Sequence, residues 1–119
     1  MKLLEGEIDL RDETRVAEQN RAGLEPEPFK ARAIALADRQ AELRDRAEEV
    51  TQSIRELPDA EDNFSREIQL LSSVSAVMTS AEEILASPDT GAPAIAAETE
   101  AIELLLQARR QKKPQSGGG

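Results

Sequence analysis

The chain of 119 residues has no cysteine, histidine, tryptophan or tyrosine, and only two phenylalanines. Without cysteine there is no disulfide framework, thiol nucleophile or zinc ribbon. Without histidine the commonest general base and metal ligand is missing. No stretch approaches the roughly 18 apolar residues of a membrane span. The opening residues Met1–Glu7 place acids where a secretory leader needs an apolar run. Positive charge is scarce too: 15 basic residues face 24 acidic ones, giving a net charge of −9 and a pI near 4.6. Nucleic-acid phosphates would be repelled by such a chain. There is no glycine-rich phosphate loop, nucleophile elbow or dinucleotide fingerprint. The expectation is a protein that is not an enzyme, with no cofactor and no small-molecule substrate.

What is abundant is alanine, leucine, glutamate and arginine in helical spacing. Four segments read as helices. The first runs from Lys2 to Ala22 and ends at Gly23, a residue favoured just past a helix end. Pro28 suits the first turn of the second, which runs to Leu57 and stops at Pro58. Asp59 reads as the N-cap of the third, with Glu61 and Asp62 favourable in its first turn, and this helix closes near Ala86. Thr90 is a candidate cap for the fourth, which reaches Gln111. No segment alternates with period two, so no strand is expected.

The strongest pattern is Phe29, Ala33, Leu36, Gln40, Leu43, Ala47, Val50, Ile54 and Leu57, at alternating steps of four and three. A heptad seam of this kind keeps one stripe against a partner helix. Phe64, Leu71, Met78 and Leu85 repeat the idea at intervals of seven, and Leu70 and Val77 widen the stripe. Short connections make consecutive helices antiparallel neighbours. The expected fold is all-α: an elongated antiparallel bundle of four helices over residues 1–111. The two long central helices form a coiled-coil hairpin whose tip projects past two shorter outer helices. Residues 112–119 read as a flexible glycine-rich linker or tail.

Few residues stand out as sites. Gln40 interrupts the apolar seam and Thr14 faces it across the first turn, so the two are candidates for setting register. Carboxylate-rich stretches, Glu48 with Glu49, Glu82 with Glu83, and Glu98, Glu100 and Glu103, read as solvated helix surface. A carboxylate di-iron bundle needs Glu-x-x-His pairs, which this chain lacks. Met78 reads as core filling, and Arg109, Arg110, Lys112 and Lys113 as cations at a helix C-terminus. From Pro58 to Ser87 six acids accompany one arginine. Four of them, Asp59, Glu61, Asp62 and Glu67, form a candidate docking surface for a basic protein partner, although helix-start preference accounts for part of the cluster. Self-association is the other candidate partnership. No catalytic, cofactor-binding or metal-binding residue is assigned.

Two stretches, Ala35–Leu43 and Glu98–Gln107, with Met78 and Ala81 between them and a glycine-rich tail after them, resemble helical regions of large bacterial membrane-anchored proteins. Those proteins carry repeated coiled-coil segments outside the membrane. The resemblance implies a scaffold or interaction segment of a cell-envelope protein; without it, an acidic cytoplasmic adaptor or chaperone for a basic client is the alternative.

Overall fold

The structure, a computed structural model, describes residues 2–112, with side chains described up to Arg110. The expected tail at 112–119 lies outside the described side chains. The fold is all-α and elongated, 56 × 23 × 19 Å, with helices α1 (Lys2–Asn20), α2 (Pro26–Arg55), α3 (Ala60–Asn63), α4 (Ser65–Ala86) and α5 (Ala92–Lys112). Contacts run α1 to α2, α2 to α4, α4 to α5 and α5 back to α1, which closes the long helices into a four-cornered bundle. Leu3, Ile54, Leu71 and Ala108 all border one cleft. The start of α1, the end of α2, the start of α4 and the end of α5 therefore share one end of the molecule, and successive long helices are antiparallel.

The core follows the four-and-three spacing. In α2, Ala33, Leu36, Gln40, Leu43 and Ala47 are all buried. In α4 the buried set is Leu71, Val74, Met78, Ala81 and Leu85; in α5 it includes Ala94, Ala101, Leu105 and Ala108. Alanines at so many core positions allow close helix approach. Gly6 shows the limit: a Cβ there would fall 2.7 Å from Leu43 Cδ2, so α1 and α2 meet where a side chain is missing.

Five details depart from the sequence expectation. The seam of α2 does not stay buried: Val50 is 42% and Leu57 45% exposed, while Thr51 is buried in their stead. A straight helix of 3.6 residues per turn drifts about 20° per heptad from a 3.5-residue repeat. By the third heptad the next residue has rotated into the interface.

The third helix is broken. Phe64 sits at φ −132°, ψ 21° between α3 and α4. Its amide still donates to the Ala60 carbonyl, and its own carbonyl accepts from Ile68, so the break is a bend within a nearly continuous hydrogen-bond ladder. Asp59 makes no side-chain cap; it adopts the left-handed conformation (φ 55°, ψ 36°) that turns the chain between α2 and α3. Aspartate is one of the few residues that enters this region readily.

Gly23 ends a short 3-10 turn, Arg21–Gly23, and has no positive φ. The Thr90 hydroxyl, expected to cap α5, instead donates to Glu18 Oε1 at 2.9 Å and ties the start of α5 to the end of α1. The turn before α5 is held by Asp89, whose Oδ1 accepts from the Gly91 amide at 2.7 Å.

Candidate functional site: a buried carboxyl pair

The spacing of α1 carries the key. Leu3, Glu7, Leu10, Thr14 and Ala17 follow steps of four and three, and all five are buried. On α5, Ala94, Glu98, Ala101 and Leu105 do the same. Two carboxyl groups are thus delivered into the core by the same periodicity that delivers leucines. Glu7 and Glu98 are both 0% exposed, as are Gln40 and Thr14. The expectation of Glu98 on a solvated surface is overturned; Glu100 and Glu103 do face solvent. Glu7 was not singled out from sequence at all. The readable signal for both was an acid standing on an otherwise apolar seam position.

Gln40 and Thr14 are brought to the interior as expected, but each bonds to a carboxyl group rather than to the other. Gln40 Nε2 donates to Glu7 Oε1 at 2.8 Å, joining α2 to α1. The Thr14 hydroxyl lies 2.7 Å from Glu98 Oε2, joining α1 to α5, and 2.9 Å from the Leu10 carbonyl. A hydroxyl has one hydrogen. If it is donated to the Leu10 carbonyl, the contact with Glu98 closes only when Glu98 carries a proton and donates to Thr14.

Burial raises the Glu98 pKa to about 8, aided by the nearby Glu7 charge and opposed by the bond to Thr14 and by Arg11 and Arg15. Burial raises Glu7 to about 7, against the hydrogen bond from Gln40 and the charges of Arg11 and Arg39. Arg11 is committed sideways, its Nη1 donating to Thr99 Oγ1 at 3.3 Å. Among the described residues, Glu7 Oε2, Gln40 Oε1, Glu98 Oε1 and Arg11 Nε have no hydrogen-bond partner.

Two carboxyl groups with raised pKa values are the raw material of acid–base chemistry. Here they are enclosed on every side, so a substrate reaches them only if the bundle opens. What the closed arrangement does is hold protons. Among the described residues no group of three or more carboxylates gathers into a metal-holding cluster.

The candidate docking acids divide. Asp59, Glu61 and Asp62 are exposed around the α2–α3 turn. Glu67 is not with them: it is 5% exposed, on the buried side of α4, at the edge of the end cleft. Among the described residues no helix is long and apolar enough to cross a membrane. No family model matches the chain, and neither a curated protein nor a solved structure is similar to it.

Proposed function

We propose that the chain is a non-enzymatic helical scaffold or protein-interaction module, set in a larger bacterial envelope-associated protein. One observation carries the reading: the two carboxyl groups best suited to chemistry are sealed in the core, whereas an apolar cleft with exposed apolar side chains beside it is left open at one end. Val50 and Leu57, exposed on α2, flank the end of the bundle that also holds the apolar cleft. Apolar side chains grouped beside a cleft and rimmed by charge are the anatomy of an interaction surface. The envelope setting is supported by the resemblance of Ala35–Leu43 and Glu98–Gln107 alone.

The test is selection of a random-peptide display library on the immobilised chain, repeated on a Val50→Asp, Leu57→Asp variant, with helicity of both checked by circular dichroism. Enriched apolar sequences that the variant no longer retains are expected. No enrichment, or enrichment indifferent to both substitutions, overturns the reading.

A second reading, an acidic adaptor for a basic client, is favoured by the exposure of Asp59, Glu61 and Asp62, none of which forms an ion pair within the described residues. Reversing all three to lysine is expected to weaken binding of basic sequences, with the loss greatest at low salt. Binding unchanged by the reversal overturns this reading.

A further inference from the structure

Four helix ends leave a cleft of about 250 Å³ between them. Leu3, Val50, Ile54, Leu71 and Ala108 make its walls, and Lys2 and Glu67 are its charged members. Glu67 stands on the apolar seam of α4, four residues before Leu71 and seven before Val74, which explains its withdrawal from water. It forms neither a hydrogen bond nor an ion pair among the described residues, and Lys2, in the same cleft, does not pair with it. Its carboxylate is the one acidic group on otherwise apolar walls, and no cation of the described residues pairs with it. A cation delivered through the cleft supplies the missing pair, provided that its stem is apolar enough for the walls.

We propose that this cleft receives a cationic side chain with an apolar stem, lysine or arginine, carried on a segment of a partner protein and paired with Glu67. The inference rests on the interaction-module reading and names the chemistry of the partner. Charge selects the occupant. Asp59, Glu61 and Asp62 stand exposed on the turn that leads into α4, so an incoming basic segment is attracted along that side. Arg109 and Arg110, exposed just past Ala108 on α5, repel it from the opposite wall and set its direction. A second copy of the chain fits poorly, because two chains that each carry a net charge of −9 repel one another.

The experiment is a titration of the whole methyl-labelled chain with n-hexylammonium, hexanol and hexanoate, followed by NMR at the Leu3, Ile54 and Leu71 methyls. Hexylammonium is expected to shift these signals saturably, hexanol more weakly and hexanoate least. Glu67→Gln is expected to weaken hexylammonium binding about tenfold, the worth of one charge-assisted hydrogen bond, and to leave hexanol unchanged. Val50→Phe, at an exposed position where folding is not at stake, narrows the mouth and is expected to weaken all three. Equal binding of hexanol and hexylammonium, or indifference to Glu67→Gln, overturns the proposal.

Two further arms fix the source of the cation. Display-selected peptides carrying lysine or arginine are expected to lose the same factor on Glu67→Gln. Peptides that need Val50 and Leu57 but ignore Glu67 overturn this proposal and leave the interaction module standing; a library that yields no binder removes the module itself. Sedimentation of the unliganded chain is expected to show a monomer. A dimer dissolved by Glu67→Gln would place a second copy in the cleft and overturn the choice of occupant.

Discussion

At the scale of single residues, Glu7 and Glu98 make stability depend on pH in an unusual direction. Each folded-state pKa lies above the ordinary value of 4.5, near 7 for Glu7 and near 8 for Glu98. Between those limits the folded chain keeps protons that the unfolded chain has released. Stability from these groups is therefore complete below about pH 4.5, falls as pH rises and levels off above about pH 8. For Glu7 alone the rise from 4.5 to about 7 corresponds to roughly 3 kcal/mol. Urea denaturation at pH 5.5 and 8.5 is expected to show a clearly lower midpoint at the higher pH. The double variant Glu7→Gln, Glu98→Gln should flatten that difference and gain stability at pH 8.5, because an amide keeps the hydrogen bonds without the charge. A wild-type midpoint equal at both values would show that the carboxyl groups are not held neutral. Thr14→Val is expected to cost about 1–3 kcal/mol at pH 6, by removing the hydroxyl that bonds Glu98 Oε2 in the core.

At the scale of elements, the drift of α2 and the turn after it each make a prediction. Leu43 and Leu57 occupy equivalent heptad positions in the sequence, yet one is buried and the other 45% exposed. Leu43→Ala is expected to cost about 3 kcal/mol and Leu57→Ala no more than about 0.5 kcal/mol, read from denaturation midpoints. Similar costs would mean that the heptad register is kept to the end of α2. At Asp59, alanine is expected to destabilise by about 1 kcal/mol and glycine to be nearly neutral, since only the alanine side chain resists a positive φ. The contrast between these positions shows what the amino-acid order disclosed. Periodicity alone located the long helices and the buried run from Ala33 to Ala47. The spacing of Glu7 to Leu3 and Leu10 and of Glu98 to Ala94 and Ala101 also points inward, but acidity argues the other way, and a composition rich in surface glutamate conceals their burial. Pro58-Asp59 serves equally for an N-cap and for a left-handed turn, so the bend at Phe64 was not legible. Glu67 follows Asp59, Glu61 and Asp62 closely in a stretch of lopsided charge and so joins their cluster on sequence, although its spacing to Leu71 and Val74 places it inward.

At the scale of the whole molecule, the bundle is not uniformly held. The radius of gyration is 16.1 Å, where about 13.5 Å is typical of a compact domain of this length. A long, thin core gives each helix only two neighbours, and they share the work unequally: α2, α4 and α5 pack extensively in series, while α1 closes the ring through smaller contacts with α2 and α5. Both buried carboxyl groups sit at those smaller contacts, Glu7 bonding across to α2 and Glu98 across to α1. Outside the core, the Arg39–Glu13 ion pair ties α1 to α2 at the surface, where it is screened by salt. Deprotonation therefore acts on the seams that are already the weakest. The consequence is local opening: as pH rises, α1 should release before the α2–α4–α5 unit does. Native-state hydrogen exchange tests this within one sample, because protection factors in α1 and α4 are compared at the same pH. At pH 8 the opening free energy of α1 is expected to lie below that of α4, and the double variant Glu7→Gln, Glu98→Gln should bring the two together. If the four long helices open at one common free energy in the wild type, proton release is coupled to global unfolding and α1 is no separable unit.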